Sequence, residues 1–329
     1  MPHSPADSAR RDAVLTTLAG LGSMALSSSV SAQAEKITRF ILPNATGSGV
    51  DTITRSASAA LGRALGTPVV VENQPGAGGI VGLQALSRTA PDGFSLSVVS
   101  NNVVIFPSVY AKLPFDVLTD FVPITVIGYT PIVVVASNKV PANGSRQFID
   151  WLKSRNGEAT VASAGAGTII HLANEMFLNE SGTRARAVHY KGVGPMLTDL
   201  LGGHIDFCTA ALPSVQGHLK NGLIKAIGVG TEKRVEAAPE LPTFAEQGLP
   251  TYIVEAWFGV LGPKGMSEAD ISRVHKAFVT AFSEPDVKAA MAKGGNVINV
   301  RTPEFARQYF ASETSKYAEL VRRAGIEKQ

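Results

Sequence analysis

The chain has 329 residues, 45% of them hydrophobic and 17% charged, enough apolar material for one large core or two moderate ones and too much for disorder along most of its length. Its formal net charge is +3 and its basic residues are scattered singly or in pairs, so no basic stripe marks a nucleic-acid partner, while the mild excess fits attraction to anions. Cys208 is the only cysteine, so no disulfide can form within the chain and the fold stands on its cores; one thiol does not fix the redox compartment.

At the N-terminus, Arg10-Arg11 precede residues 14–30, a stretch of Ala, Leu, Gly, Val, Ser and Thr. Small residues at Val30-Ser31-Ala32 or Ala32-Gln33-Ala34 offer a cleavage site, so residues 1–34 read as an export signal. The arginine pair and the Ser-rich, weakly apolar middle point to the twin-arginine route; Asp12 argues against it, and the Sec route stays open. A membrane anchor is the competing reading, but the segment falls short of the roughly 20 strongly apolar residues that spanning requires. No later segment is long and apolar enough to cross a bilayer.

From Glu35 onward short β-rich runs alternate with helical patterns. Residues 37–42, 69–72, 95–100, 132–136, 160–163, 187–190, 205–208 and 226–229 read as strands. After Asp51, the apolar positions Ile53, Ala57, Ala60, Leu61, Ala64 and Leu65 recur at helical spacing until Gly66-Thr67-Pro68 stops them. Residues 195–201 repeat the design and end at Gly202-Gly203. Strand and helix in alternation predict an α/β fold of parallel sheets with helices on both faces, in which ligands sit at the carboxyl ends of strands. Two apolar extended runs, 122–137 with Pro123, Gly128 and Pro131 inside it and 252–261, suggest two crossings between lobes. The first lobe is then discontinuous, residues 35–130 plus 255–329, and the second is the inserted middle, 131–254, with the ligand cleft between them.

Two glycine loops occupy the positions where ligands are expected. One runs from Pro43 to Asp51 after the first strand; the other is Ser163-Ala164-Gly165-Ala166-Gly167-Thr168-Ile169-Ile170-His171. Free N–H groups at a helix start carry roughly half a positive charge, so each loop can hold a small carboxylate without an arginine. Asp51 opens a helix, where capping is the expected role and a carboxylate would repel an acidic ligand. Thr168 suits a cap and a ligand donor equally. His171, in the first helical turn, suits a neutral packed residue better than a ligand. Gly165 and Gly167 permit the tight turn that brings backbone close to an anion. Gly76-Ala77-Gly78-Gly79 misses the dinucleotide spacing to Gly82 by one residue and reads as a structural turn.

Enzyme readings find little support. There is no G-x-S-x-G elbow, and Gly47-Ser48-Gly49 lacks the spacing that lifts a serine above a strand-to-helix turn. The six histidines, at 3, 171, 189, 204, 218 and 275, include no H-E-x-x-H and no pair at helical ligand spacing, so no metal site is expected. Asp199 and Asp206 suit a solvated helix face and a strand end better than an acid and base pair.

Asn73-Gln74-Pro75-Gly76-Ala77-Gly78-Gly79, Ala90-Pro91-Asp92-Gly93-Phe94, Asp120-Phe121-Val122-Pro123-Ile124 and His189-Tyr190-Lys191-Gly192-Val193-Gly194-Pro195, in this order, resemble the Bug family of extracytoplasmic solute receptors related to the tripartite tricarboxylate transporter system. Residues 200–206, 242–248 and 257–265 extend the likeness over nearly the whole chain after the signal. The resemblance implies a two-lobed periplasmic-binding-protein fold of the type II kind and capture of a carboxylated solute without chemical change. It carries the ligand site onto Asn44, Ala45, Thr46, Gly47, Ser48 and Asp51 of the first loop, on Asn101, and on Ser163, Gly165, Ala166, Gly167, Thr168 and His171 of the second. The second loop keeps the family's Gly-x-Gly-Thr and His-Leu pattern. The first departs from it, with Asn44 in place of an aromatic residue, Ser48 in place of the second glycine and Val50 in place of a hydroxyl residue.

The expectation is therefore a periplasmic receptor, a monomer without cofactor, that closes over a di- or tricarboxylate or an aromatic acid and delivers it to a membrane permease. A sensor presenting the same ligand to a membrane signalling partner, and a secreted enzyme, are the alternatives. The sequence does not name the acid, because backbone donors recognise any carboxylate.

Overall fold

The computed structural model describes residues 36–328 apart from 45, 77, 78, 166, 167, 191 and 324. The export signal expected over residues 1–34 lies outside the described residues, as do Ala45, Ala166 and Gly167 of the candidate loops.

Among the described residues ten strands form one sheet, eight of them on a hydrogen-bonded path ordered β2-β1-β3-β9-β4-β7-β5-β6, with β8 and β10 also paired to β4. β1 (Thr38–Leu42) lies parallel to β2 (Val69–Asn73) and β3 (Ser95–Ser100). Parallel β5 (Thr160–Ser163), β6 (Arg186–His189) and β7 (Phe207–Ala211) form the other end. Between these groups run two long strands, β4 (Phe121–Ser137) and β9 (Glu255–Pro263), antiparallel to each other. β4 pairs with β9 over residues 121–131 and with β7 and β8 (Ile224–Val229) over residues 132–137. The second half, Ile132 to Ala136, is at most 1% exposed, as a run flanked by strands on both sides should be. β3 is antiparallel to β9, so within the sheet the two parallel groups are joined through β4 and β9.

Helix chemistry follows the sequence closely. α1 (Gly49–Leu65) buries Ile53, Ala57, Ala60, Leu61 and Leu65 and stops at Gly66, whose φ of 70° is the left-handed conformation of a helix C-cap. α2 (Ile80–Ser87), α3 (Asn102–Val109) and α4 (Ser145–Ser154) follow in chain order. α5 (Ile169–Ser181) starts just past the second glycine loop and α6 (Val193–Gly202) ends at Gly203, φ 67°. The remaining helices are α7 (Leu212–Lys220), α8 (Glu268–Ala281), α9 (Pro285–Lys293) and α10 (Pro303–Arg323).

Three buried clusters hold the described residues together. One consists of residues from 132 to 254 and centres on Phe148, Phe177, Phe207, Phe244 and Tyr252. The second joins α1, α8 and α9 to one face of β1, β3, β4 and β9 through Phe40, Phe258 and Phe278. The third joins α3 and α10 to the other face through Trp257 and Phe310. Trp257 and Phe258 point to opposite faces because consecutive strand residues must.

Three differences from the sequence reading have local causes. β7 begins two residues later than read, because Asp206 Oδ2 accepts both the N–H and the hydroxyl of Thr160 at 2.7 and 2.8 Å and holds residues 204–206 in a bend. The run at 122–137 is a single strand bent by register shifts at residues 123–125 and 126–128. The two-residue β10 (Val297–Ile298) pairs against β4 at Gly128 and Tyr129, where glycine leaves room for the Val297 carbonyl.

Candidate functional site

The pairing register converges on one stretch of β4. The last residue of β3, Ser100, lies opposite Phe258, which lies opposite Gly128. The last residue of β7, Ala211, lies opposite Ile132. β3 runs in the direction of β4 and β7 runs against it, so their carboxyl ends approach from opposite sides and stop four positions apart on β4, roughly 13 Å at the usual strand rise. The loops leaving β1 and β5, each one strand further out, point toward the same gap.

In the first loop Ser48 is the N-cap of α1, its hydroxyl accepting the Asp51 N–H at 3.3 Å. Asp51 reaches back and accepts the Gly47 N–H at 2.9 Å, a reciprocal cap built on serine and aspartate. Its other oxygen accepts Arg55 Nε at 2.8 Å and Asn73 Nδ2 at 2.9 Å. Asp51 is 3% exposed. Burial raises its pKa, but the Gly47 N–H, the Asn73 amide and the Arg55 guanidinium outweigh burial and hold it below the ordinary carboxylate value. Asn73, at the end of β2, gathers the rest: its Nδ2 donates to Asn44 O at 3.0 Å, and its Oδ1 accepts Thr46 Oγ1 at 3.2 Å and Arg55 at 2.7 Å. Thr46, Asp51, Asn73 and Arg55 are thus engaged in the loop's own shape, whereas the first-turn N–H groups of Gly49 and Val50 have no intrahelical acceptor.

Gly82 braces the same loop from behind. A Cβ there would lie 2.9 Å from the Pro43 Cα and from the Gln74 carbonyl oxygen, so α2 packs against the start of the loop through a bare backbone. Gly79, the N-cap of α2, has φ of 117°, a turn that favours glycine.

The second loop repeats the design. Thr168 is the N-cap of α5; its hydroxyl accepts the His171 N–H at 3.3 Å and donates to Gly165 O at 2.8 Å, across a turn with Gly165 at φ 143°. Ser163 Oγ meets His189 Nδ1 at 2.7 Å, and the His171 and His189 rings stand edge to face with centroids 4.7 Å apart. His171 is 7% exposed and its Nε2 lies 3.7 Å from Glu175 Oε1. Burial, with His189 second, lowers its pKa to about 4, so the ring is neutral at pH 7. Asn174 fixes the helix to the sheet by donating to Ala162 O at 2.8 Å and accepting the Thr209 N–H at 2.9 Å.

Asn101 is 1% exposed, and its Nδ2 donates to Glu255 O at 3.2 Å and to Tyr317 Oη at 2.9 Å. It ties the end of β3 to the start of β9 and to α10. Hydrogen bonds therefore unite Asn44, Thr46, Gly47, Ser48 and Asp51 in one group and Ser163, Gly165, Thr168 and His171 in another; among the described residues none of those recorded joins the two groups. Asn73, Arg55, Gly82 and His189 complete these groups without having been singled out from the sequence. Asn73 and His189 had a local signal, standing at the heads of the Asn73 to Gly79 and His189 to Pro195 stretches. No group of three or more metal-ligating side chains occurs among the described residues. No helix among them is long and apolar enough to cross a membrane.

Comparison with known proteins agrees with this architecture. Residues 53–326 match the sequence family described as tripartite tricarboxylate transporter family receptor. Protein BugT of Bordetella pertussis is 32% identical over 289 residues, covering 87% of this chain and 89% of the relative. The structure of the periplasmic binding protein BugD superposes with a TM-score of 0.72 at 29% identity, covering 89% of this chain and 99% of BugD. MatC from Rhodopseudomonas palustris, solved with bound malate, superposes with a TM-score of 0.69 at 26% identity over 86% of this chain and 99% of MatC. An R. palustris protein solved with adipate gives 0.75 at 25% identity over 89% of this chain and 99% of that protein. The fold is that of a periplasmic binding protein, and the family consists of solute-binding receptors rather than enzymes. The chain belongs to the tripartite tricarboxylate transporter receptor family, the Bug proteins.

Proposed function

We propose that this receptor captures a small organic acid in the gap between residues 35–130 plus 255–329 and residues 131–254, and presents the closed form to the membrane permease of a tripartite tricarboxylate transporter. It acts in the periplasm, after export of the chain and removal of residues 1–34. The observation that carries the reading is the pair of strand-to-helix glycine loops, each capped by a hydroxyl residue, that leave β1 and β5, the parallel neighbours of β3 and β7, whose own carboxyl ends stop four positions apart on β4. The malate and adipate held by two structural relatives support a carboxylate as the ligand.

In this mechanism backbone N–H groups at the starts of α1 and α5 hold the carboxylate oxygens, with Asn44, Ala45, Thr46, Gly47 and Ser48 on one side and Ser163, Gly165, Ala166, Gly167 and Thr168 on the other. Asp51 serves the loop rather than the acid, since both its oxygens are already engaged. His171 supplies a neutral wall and Asn101 anchors the loop end of β3 to the crossing strands. A ligand touching both loops stabilises the closed arrangement more than the open one, which is what lets binding shift the population toward the form a permease recognises.

Titration calorimetry of the mature chain with malate, adipate, benzoate and the corresponding amides tests the reading. Binding of at least one acid, with loss of binding for its amide, is the expected result; equal affinity for acid and amide refutes it. Replacing Thr168 by Val removes the hydroxyl that caps α5 and holds Gly165 O, and should weaken the identified acid about fivefold, the equivalent of one net hydrogen bond near 1 kcal/mol.

A further inference from the structure

The two lobes repeat one unit. β1-α1-β2-α2-β3 has the sheet order β2-β1-β3, and β5-α5-β6-α6-β7 has the order β6-β5-β7, with the strands parallel within each unit. In each unit the edge strand ends beside the strand that leads into the glycine loop: Asn73 lies opposite Leu42, and His189 lies opposite Ser163. Asn73 and His189 therefore hold equivalent places, each next to a loop whose helix is capped by a hydroxyl.

Their hydrogen-bonding capacity is used differently. An amide offers two donors and two acceptor sites, and Asn73 fills all four: Nδ2 donates to Asn44 O and Asp51 Oδ1, while Oδ1 accepts Thr46 Oγ1 and Arg55 Nη2. His189 engages Nδ1 alone, at 2.7 Å from Ser163 Oγ; among the described residues its Nε2 has no hydrogen-bond partner, and the residue is exposed. The ring nevertheless lies at the loop. It stands edge to face with His171, in the first turn of α5, at a centroid distance of 4.7 Å. A Cβ on Gly165 would come within 3.9 Å of the carbonyl oxygen of Tyr190, the next residue in the chain.

Ser163 selects the tautomer. Its hydroxyl proton has two acceptors in reach, Gly165 O at 3.4 Å and His189 Nδ1 at 2.7 Å, and Gly165 O already accepts Thr168 Oγ1 at 2.8 Å. The shorter bond is the stronger, so Ser163 donates to Nδ1 and the neutral ring carries its proton on Nε2. The second nitrogen is then a donor, beside a helix start whose first N–H groups are donors too. We propose that His189 is a ligand-binding residue of the second loop, its Nε2–H donating to the carboxylate that the first N–H groups of α5 hold. The assignment rests on carboxylate capture between the loops. It gives the second lobe a side-chain donor for the acid where the first lobe has Asn73 fully occupied by its own loop.

The test separates donation to the acid from support of the loop, because the two ring nitrogens have different amide mimics. Asn places its N–H near Nδ1 and repeats the residue of the first lobe, whereas Gln reaches as far as Nε2. Calorimetry of the mature chain with malate, adipate and benzoate gives the affinities. His189→Asn should weaken the probe that the parent binds most tightly by at least about tenfold, the loss of one hydrogen bond to a charged group, and His189→Gln should restore most of it. Heteronuclear NMR of histidine-labelled protein reads the same bond. The His189 Nε2 signal, identified by its loss in His189→Asn, should be that of a protonated nitrogen and should move when the probe is added. Affinity within about twofold of the parent in His189→Asn, a loss in His189→Gln as large as in His189→Asn, a free ring protonated on Nδ1 alone, or an unmoved Nε2 signal each overturns the assignment and leaves capture by the backbone standing. A parent chain that binds none of the three acids removes capture and this role together.

Discussion

Glu255 and His171 tilt stability in opposite directions with pH, and single substitutions should unmask them. Glu255 is raised to about 7 by burial and by Glu232 and Glu313, against Lys316. Between the unfolded value of 4.5 and 7 the native state holds a proton that the unfolded chain has released. Its contribution is therefore complete below pH 4.5 and is lost as pH rises through 7. His171 is lowered from 6.5 to about 4 by burial and by His189. In that window the unfolded chain holds the proton and the native state does not, so its contribution is complete above pH 6.5 and is lost as pH falls through 4. Each slope is about 1.4 kcal/mol per pH unit, and between pH 4.5 and 6.5 they cancel. In Glu255→Gln the His171 slope stands alone: relative to the parent, the variant should gain roughly 2 kcal/mol in stability on going from pH 5 to 6.5, read as about 2–4 °C in melting temperature per kcal/mol. His171→Gln should show the mirror image. Melting curves of the three proteins at half-unit pH steps make the comparison, and a variant-minus-parent difference that stays constant across the window refutes the reasoning.

Other substitutions test the loops and the crossing strands. Asp51→Ala breaks three hydrogen bonds in the first loop, two of them to the Gly47 N–H and the Asn73 amide and one to Arg55, and should cost on the order of 2–3 kcal/mol in denaturant unfolding while weakening acid binding. Gly128→Ala puts a Cβ against the Val297 carbonyl oxygen at φ of 156°; a loss above roughly 3 kcal/mol is expected, with β10 detached in hydrogen exchange. Gly82→Ala pushes α2 off Pro43 and should lower acid affinity at nearly unchanged pH dependence, measured by calorimetry. Ser48→Ala removes a cap at a cost of about 1 kcal/mol and leaves the backbone donors of α1 in place.

The alternation of strand and helix was legible because it depends on local patterns. Strands 95–100 and 160–163 have the bounds their composition gives, and α1 ends where Gly66 demands a left-handed residue. Contacts between distant residues were not legible. Nothing near residue 205 announces that Asp206 will be recruited by Thr160, 46 residues earlier, and so delay the start of β7. β10 has two residues and no pattern of its own; it exists because Gly128 leaves its partner strand open. Likewise the glycine loops could be seen as loops, but side chains that fix them, Asn73 for one and His189 for the other, come from strands distant in the chain.

What ties the two loops into a single proposed site is register, which sequence composition hardly encodes. The apolar runs at 122–137 and 252–261 announced long strands, and only their antiparallel pairing determines that β3 and β7 end on the same few residues of β4. A shift of two positions in the β4 to β9 pairing would keep every buried side chain on its face and still move the β3 end by roughly 7 Å from the β7 end. Gly128 and the two register shifts in β4 pin that alignment. The ligand gap is therefore governed as much by a glycine in the crossing strand as by the glycines in the loops, and Gly128→Ala should reduce acid binding even in preparations where the fold survives.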